Sequence, residues 1–270
     1  MSYSESQYPV VSVLIPVYNA ETYIGRCLDS ILSQDYPALE VVAIDDGSSD
    51  SSFSILENYE RRHPSVVRAY HQQNQGVAAT RNKAISLASG VYLMFADNDD
   101  YLEPGSIKLL VHKALEADAD IICAGFQRPD THGTIVSRVI LSSDTQWAPY
   151  KVSAAWAKLY RTAFIKDNSL SFLSTNIGED IYFTLPAQCF LTKRSSCLRL
   201  CTTGSITLKA SRTPSIRIRA IWNSPEPSPN YTAFYRCAAF PSKGLYFITS
   251  CALSFGSSFT PGKATDHLKA

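Results

Sequence analysis

The chain has 270 residues, of which 45% are hydrophobic and 18% are charged. This length and composition exclude a wholly disordered chain or a coiled coil, and they leave room for one large domain or two small ones. No apolar run approaches about 18 residues, so the sequence predicts no transmembrane helix. The seven cysteines form no Cys-x-x-Cys pair, so neither a zinc site nor a disulfide framework is indicated, and we expect a cytoplasmic location.

The net charge of +1 is distributed unevenly along the chain. Residues 1–186 contain 14 Lys and Arg against 22 Asp and Glu, whereas residues 187–270 contain 11 against 2. Five of the seven cysteines also fall within 187–270. A compositional shift of this size indicates that the two segments need separate interpretation.

Apolar patterns of two different periods alternate between residues 10 and 126. They predict strands at 10–15, 39–44, 65–70, 91–96 and 120–124, and helices at 24–32, 53–59, 77–87 and 107–115. This alternation predicts an α/β fold with a mostly parallel sheet covered by helices on both faces. Ligands of such sheets bind beyond the carboxyl ends of the strands, so the segments that follow the strands are the places to search for chemistry.

Polar motifs follow the first four predicted strands. They are Pro16-Val17-Tyr18-Asn19, Asp45-Asp46-Gly47-Ser48-Ser49-Asp50, Asn74-Gln75-Gly76 with Arg81-Asn82, and Asp97-Asn98-Asp99-Asp100. Because several carboxylates would crowd one edge of the sheet, a cation is expected among them. Hard oxygen ligands favour Mg²⁺ or Mn²⁺ bound together with substrate phosphates. Taken singly, each motif has a plainer interpretation as a turn, a helix cap or a solvated acidic loop.

In this order, the motifs resemble those of family 2 glycosyltransferases, which have the GT-A fold and use nucleotide-activated sugars. The resemblance continues through Trp156-Ala157-Lys158-Leu159-Tyr160 to Gly178-Glu179-Asp180. It is greatest to bacterial enzymes that build exopolysaccharide, capsule or lipopolysaccharide. It implies a GT-A domain at 10–186, with a nucleotide-sugar half at 10–126 and an acceptor half at 127–186, after a flexible N-terminus at 1–9.

The resemblance also implies roles for residues of the donor half. Pro16 and Tyr18 would contact the nucleotide base, and Asp46 or its neighbour Asp45 would bind the edge of that base. Arg81 would face the phosphates of the donor.

Two further elements of the family pattern carry the chemistry. Asp97 and Asp99 form a DxD element that would hold Mn²⁺ or Mg²⁺ and the diphosphate, and Asp97 would also contact the donor. Asp180 would be the catalytic base, with Glu179 in support. A single base suffices for one displacement, which inverts the anomeric configuration. Near a helix N-terminus Asp180 is expected to stay ionised, although the plainer interpretation is that Glu179-Asp180 only caps the helix.

The segment 187–270 departs from this pattern. Pro186 is expected to interrupt the helix that begins near Asp180, and helical periodicity fades beyond it. The reversed charge, the cysteines and a Ser/Pro-rich stretch at 224–229 predict an irregular, atypical basic tail, either frameshifted or disordered. The competing interpretation is a genuine tail that binds anionic lipid peripherally at the inner face of the cell membrane.

The sequence therefore predicts an inverting, metal-dependent transferase. It would move a sugar from a nucleoside-diphosphate donor, with UDP the expected nucleotide, to a glycan or lipid-linked acceptor, with no nucleic-acid partner. The first alternative is an impaired or inactive remnant that still binds nucleotide sugars. A sugar nucleotidyltransferase is disfavoured, because no Gly-rich loop with Arg and Lys follows the first strand. The five histidines lack metal-ligand spacing and are interpreted as ordinary surface or core residues.

Overall fold

The computed structural model describes residues 8–129, 134–139, 153–175, 178–190 and 206–207. They all lie in the first of two compact units, Met1–Arg212. The strands are β1 (Val11–Val17), β2 (Leu39–Asp45), β3 (Val67–His71), β4 (Tyr92–Phe95), β5 (Ile121–Cys123), β6 (Phe126–Pro129), β7 (Ile135–Val139), β8 (Lys158–Arg161) and β9 (Ile206–Thr207). The helices are α1 (Ile24–Leu32), α2 (Ser52–Arg62), α3 (Val77–Leu87), α4 (Ser106–Glu116), α5 (Thr162–Asp167) and α6 (Glu179–Phe190).

A six-stranded sheet in the order β3-β2-β1-β4-β8-β5 forms the centre of the fold. Strand β1 pairs in parallel with β2 and β4, and β2 pairs in parallel with β3. Strand β8 lies antiparallel between β4 and β5. The predicted mostly parallel sheet is therefore confirmed, but one strand from the acceptor half completes it, which the periodicity did not predict.

Helices cover both faces of this sheet, as predicted. Alternate residues of the strands point to opposite faces, so Val13 belongs to one apolar core and its neighbour Leu14 to the other. The first core is completed by α1, α2 and α4, and the second by α3, α5 and α6. Burial on both faces explains why the central strands have nearly continuous apolar sequences.

A smaller three-stranded sheet has the order β7-β6-β9. Strand β6 is antiparallel to β7 and parallel to the two-residue strand β9. Apart from the end of α6 and β9, the predicted tail at 187–270 lies outside the described residues, as does most of the N-terminal segment 1–9. Among the helices that the structure describes, none is long and apolar enough to cross a membrane.

The expectation that Pro186 interrupts the last helix is wrong. Helix α6 runs from Glu179 to Phe190 with Pro186 inside it. A proline in a helix interior removes one hydrogen bond and costs about 3 kcal/mol or more. Phe183 and Ala187, on either side of Pro186, are fully buried in the second core, and this packing offsets the cost.

A buried polar cluster closes the sheet at the end opposite the carboxyl ends of its strands. Glu40 accepts hydrogen bonds from the backbone N–H of Ser89 and from its hydroxyl, both at 2.9 Å, and a further one from the Ser12 hydroxyl. The Gly90 N–H donates to Ser12 Oγ at 2.9 Å. A Cβ at Gly90 would lie 2.6 Å from Ser12 Oγ and 2.8 Å from the Val10 carbonyl oxygen, so only glycine fits there.

We expect Gly90→Ala to lower the free energy of unfolding by about 1–3 kcal/mol, the usual cost of overpacking a tight site. Gly25→Ala is the matched control, because its Cβ would meet only the Tyr59 hydroxyl at 3.6 Å. Gly25 lies inside α1, where alanine is favoured over glycine by roughly 0.5–1 kcal/mol. Urea denaturation of both variants measures the difference, and equal stabilities would contradict the assigned packing.

Candidate active site

An open cleft of about 370 Å³ lies at the carboxyl ends of β1, β2 and β4. Every predicted strand-end motif contributes to its lining, together with the start of α6. The polar or aromatic side chains that line it include those of Tyr18, Asp46, Arg81, Asp97, Asp99 and Glu179. The expectation that these motifs meet at one edge of the sheet is therefore confirmed.

One wall of the cleft is formed by the loops after β1 and β4. Pro16 is buried at the end of β1, whereas Tyr18 is 51% exposed at the surface of the cleft. The side-chain amide of Asn98 donates to the Pro16 carbonyl oxygen at 3.1 Å, and this bond ties the loop after β4 to the first strand. On the other side of Tyr18, the Asn19 N–H donates to the Ser48 hydroxyl at 2.9 Å, so the backbone is anchored on both sides of the exposed ring, which offers a flat apolar surface to a ligand.

Asp46 lines the cleft and holds the loop between β3 and α3. Its Oδ1 accepts from the Gln75 N–H at 2.9 Å and from Gln72 Nε2 at 2.7 Å, and its Oδ2 accepts from the Gly76 N–H at 2.8 Å. Thr80, which the sequence interpretation missed, accepts a second bond from Gln72 Nε2 at 3.0 Å. The Asp46 carboxylate therefore fixes the shape of this wall.

The neighbouring Asp45 is placed differently. It is fully buried, is not part of the cleft lining, and accepts from the Ser48 N–H at 3.2 Å. Its Oδ2 also lies 2.8 Å from Nδ1 of His71. The interpretation of His71 as an ordinary residue therefore missed this carboxylate partner. The parallel register pairs Asp45 with His71, so the pairing of β2 with β3 is the signal that identifies the contact.

Three acidic residues follow β4. Asp97 and Asp99 line the cleft, whereas Asp100 is only 2% exposed. Burial, together with the charges of Asp97 and Asp99, raises the pKa of the Asp100 carboxyl well above its usual value. Asp100 Oδ1 has no hydrogen-bond partner among the described residues. The carboxylates of Asp97 and Asp99 therefore place negative charge close to Asp100, an arrangement expected where a cation binds.

The donor set fits a divalent cation that shares its coordination with a ligand. In the described part of the chain, no cluster of three or more His, Cys, Asp or Glu side chains has the arrangement of a complete metal site. Asp97 and Asp99 nevertheless present two carboxylates to the same cleft. Mg²⁺ usually takes one or two carboxylates and completes its octahedron with water and phosphate oxygens. These residues could hold the ion only together with such oxygens.

Arg81 connects the loop after β4 with the start of α6. Its side chain is 4% exposed; one guanidinium nitrogen lies 2.8 Å from Asp97 Oδ1, and the other lies 2.6 Å from Asp180 Oδ1. Glu179 Oε1 is 3.7 Å from the same nitrogen as Asp180. The structure therefore brings Asp180, the predicted base, and Asp97, the first aspartate of the predicted DxD element, to one buried guanidinium, although they are far apart in sequence.

Asp180 is the second residue of α6, so its predicted place near a helix N-terminus is confirmed. Burial raises the pKa of its carboxyl to about 6, and the charge of Arg81 opposes this shift. The carboxylate is still mostly ionised at neutral pH. A pKa close to the working pH is the value that suits a general base, because the group is deprotonated yet basic enough to take a proton.

The sheet order, the cleft at the carboxyl ends of the strands and its carboxylate lining agree with a glycosyltransferase domain of the GT-A fold. The chain belongs to glycosyl transferase family 2, whose model matches residues 12–180. The resemblance drawn from the motifs is thereby confirmed.

Relatives identified by sequence agree with this assignment. The putative glycosyltransferase EpsH of Bacillus subtilis (strain 168) is 35% identical over 176 residues, which are 61% of this chain and 50% of EpsH. The glycosyltransferase GlyA of Streptococcus pneumoniae serotype 4 (strain ATCC BAA-334 / TIGR4) is 29% identical over 190 residues, which are 64% of this chain and 27% of GlyA. The chain thus spans half the length of EpsH and about a quarter of the length of GlyA.

A solved structure shows the same fold. Residues 1–349 of TarS from S. aureus, in complex with UDP-GlcNAc, superpose with a TM-score of 0.68 at 23% identity, covering 91% of this chain and 71% of that chain. An identity this low supports the fold alone. The predicted GT-A fold is therefore confirmed by structure as well as by family.

Proposed function

We propose that this chain transfers a sugar from a nucleoside-diphosphate donor, with UDP as the nucleotide, to a hydroxyl group of a glycan or lipid-linked acceptor in cell-surface polysaccharide synthesis. One observation carries the proposal: a single buried guanidinium, that of Arg81, lies 2.8 Å from Asp97 and 2.6 Å from Asp180. The carboxylate that would face the leaving group lines the cleft, and the carboxylate that would deprotonate the acceptor is held beside it by the same guanidinium, next to the cleft-lining Glu179.

The donor would bind along the wall formed by the first two strand-end loops. The exposed ring of Tyr18 offers a surface for stacking on the base, next to Pro16. Of the two candidates for the base edge, Asp46 reaches the cleft and Asp45 lies behind it. We therefore propose that Asp46 binds the edge of the nucleotide base, and that Asp45 supports the loop after β2.

Asp97 and Asp99 would hold Mn²⁺ or Mg²⁺ with the diphosphate. When bound, the ion neutralises the charge that develops on the departing diphosphate. The chain's own contribution is to present both carboxylates on the loop after β4. Arg26 of α1 anchors this loop by donating to the Asp99 carbonyl oxygen at 2.9 Å.

Asp180 would accept the proton of the attacking hydroxyl. One base and one displacement invert the anomeric configuration. Arg81 holds the Asp180 carboxylate ionised against the effect of burial, and Glu179 flanks the same guanidinium. We further propose that the reaction takes place in the cytoplasm, at the inner face of the cell membrane, because the net positive segment 187–270 would be attracted to anionic lipid.

We expect Mn²⁺ to strengthen UDP binding by about tenfold or more, equivalent to 1.4 kcal/mol per factor of ten. Asp99→Ala should abolish this gain, because it removes one of the two carboxylates that would hold the ion. Isothermal titration calorimetry with UDP, in Mn²⁺ and in EDTA, measures the effect. Asp35→Ala is the matched control, since Asp35 is an aspartate with a side chain 84% exposed, paired only with Lys108 in the described structure. Equal UDP affinity in Mn²⁺ and EDTA would refute the metal role.

The reaction itself is tested by turnover. UDP-glucose, UDP-galactose and UDP-N-acetylglucosamine are each incubated with Mn²⁺ and a panel of p-nitrophenyl glycosides as acceptors. Release of UDP with formation of a glycosylated acceptor supports transfer. Release of UDP with water as the only acceptor indicates an impaired remnant, and tight UDP binding without turnover of any donor indicates a nucleotide-sugar-binding protein.

A further inference from the structure

Helix α3 carries, directly after Arg81, a side chain for which the proposed mechanism has no use. The amide nitrogen of Asn82 donates to the carbonyl oxygen of Phe172 at 2.8 Å, and the N–H of Phe172 donates to Asn82 Oδ1 at 2.8 Å. The donor and the acceptor group of the Asn82 amide are thus both bonded to the backbone of Phe172, a residue of the acceptor half. Asn82 is not among the described residues that line the cleft, so a direct contact with the donor does not explain it.

Phe172 connects this amide pair to the helix that bears the predicted base. Its ring stacks on Phe183 of α6 with a centroid separation of 4.2 Å and an interplanar angle of 3°. Phe172 also meets the ring of Phe95 of β4 edge-on at 5.2 Å, and the Arg81 guanidinium lies over the Phe172 ring, 5.2 Å from its centroid.

Phe183 lies one helical turn after Asp180 and is fully buried. Because residues three apart on a helix share a face, the position of the Phe183 ring sets where the first turn of α6 lies. Phe172 is 3% exposed. Its position depends in turn on Asn82, because both its backbone N–H and its carbonyl oxygen bond to the Asn82 side chain.

We propose that Asn82 is a positioning residue for Asp180. Two consecutive residues of α3 hold the base from two directions: Arg81 by direct charge, and Asn82 through Phe172 and Phe183. The inference rests on the proposed function, in which Asp180 is the base. Asparagine suits this place because its short side chain offers one donor and one acceptor group together, whereas aspartate has no donor and alanine has neither group.

The expected effect is on rate and not on donor binding. A displacement of about 1 Å in a catalytic group can cost about 10²-fold in rate, even when the change is made away from the chemistry. We expect Asn82→Ala to lower the kcat of transfer by about tenfold or more, while the Kd for UDP in Mn²⁺ stays within a factor of about two. Asn82→Asp keeps the acceptor and loses the donor, so we expect a loss in the same direction.

The decisive measurement is a double-mutant cycle. If Asn82 acts through Asp180, adding Asn82→Ala to Asp180→Asn causes no further loss of transfer with the UDP-sugar that the wild type turns over. If the double variant instead loses rate by the product of the fold-losses of the two single variants, the residues act independently and the inference is overturned. Asn168→Ala is the matched control, because Asn168 also donates its amide to a phenylalanine carbonyl oxygen, that of Phe164, at 2.8 Å at the end of α5.

Amide hydrogen exchange gives a second measurement that needs no substrate. Asn82→Ala, or Asn82→Asp if the alanine variant does not fold, should speed exchange in residues 179–185 and leave β1 and β2 protected. Asn168→Ala should leave residues 179–185 unchanged. Unchanged exchange there in the Asn82 variants would overturn the inference. Full transfer activity in Asp180→Asn would instead overturn the assignment of Asp180 as the base, and a wild-type chain that transfers no sugar would overturn the proposed function, so the failures can be told apart.

Discussion

Replacing Asp180 by Asn is expected to lower the rate of sugar transfer by about 10²-fold or more, the scale of lost general-base catalysis. The amide has the size of the carboxylate and its oxygen can still accept from Arg81, which lies 2.6 Å away. It cannot accept the proton of the attacking hydroxyl. Affinity for UDP should stay close to that of the wild type, because the change removes a transition-state interaction and spares the donor wall. Initial rates of transfer and titration calorimetry separate the two effects.

Glu179→Gln is the matched control for this variant. It changes the adjacent carboxylate, whose Oε1 lies farther from Arg81, at 3.7 Å. We expect a clearly smaller loss of rate, because Glu179 flanks the base without taking the proton. Full transfer activity in Asp180→Asn, or an equal loss in both variants, would show that the base is assigned to the wrong residue.

Replacing Arg81 by Leu is expected to lower the free energy of unfolding by about 3 kcal/mol. Removing one partner of a buried charge cluster leaves the other charges without compensation, which typically costs about 3–5 kcal/mol. The lower end applies here, because the Asp97 side chain is 32% exposed and the Asp180 side chain 21% exposed. Urea denaturation at pH 5 and pH 8 measures the loss.

The pH dependence of this variant follows from Asp180. Its pKa of about 6 in the folded chain lies above the unfolded value, so the folded state binds more protons, and its contribution to stability falls as pH rises from about 4 to 6. The Arg81 charge lowers this pKa, so removing it moves the pKa upward. Arg81→Leu should therefore lose more stability at pH 8 than at pH 5. Any residual transfer activity should have its acid limb at higher pH.

Arg161→Leu provides the comparison. Arg161 also pairs with two carboxylates, Asp118 at 2.7 Å and Asp120 at 2.9 Å, but it lies outside the cleft lining. Because the Asp118 side chain is 78% exposed, we expect a loss of only about 1 kcal/mol or less and no shift of the pH profile. Equal losses for both arginine variants at both pH values would contradict the central role given to Arg81.

The sequence predicted those parts of the fold that depend on local pattern. Helix α3 begins at Val77 and ends at Leu87 as expected, and the five strands between residues 10 and 126 were all located. Strand β8 was missed because its four residues include the buried Lys158 and show no alternation. Its extended conformation depends on pairing with β4 and β5, which are distant in sequence. Pro186 misled for a similar reason, since tertiary packing outweighed its local preference.

The site shows the same division. The rule that ligands bind beyond the carboxyl ends of parallel strands was enough to place Tyr18, Asp46 and Asp97 in one cleft. The sequence could not show that Arg81 joins Asp97 to Asp180, because these residues lie 16 and 99 positions away and meet only through the packing of α3 and α6. It also left Asp45 and Asp46 as alternatives; both are buried in the structure, and of the two only Asp46 lines the cleft.

The antiparallel strand β8 has a consequence for synthesis of the protein. A nascent chain that has left the ribosome only as far as residue 126 holds every donor-side motif, yet its β4 and β5 lack the strand that lies between them. Unpaired strand edges invite association with other chains, and pairing over long sequence separations is slow. The central sheet therefore closes only once Arg161 has emerged. We therefore expect the nucleotide-sugar half to complete its folding together with strand β8 of the acceptor half.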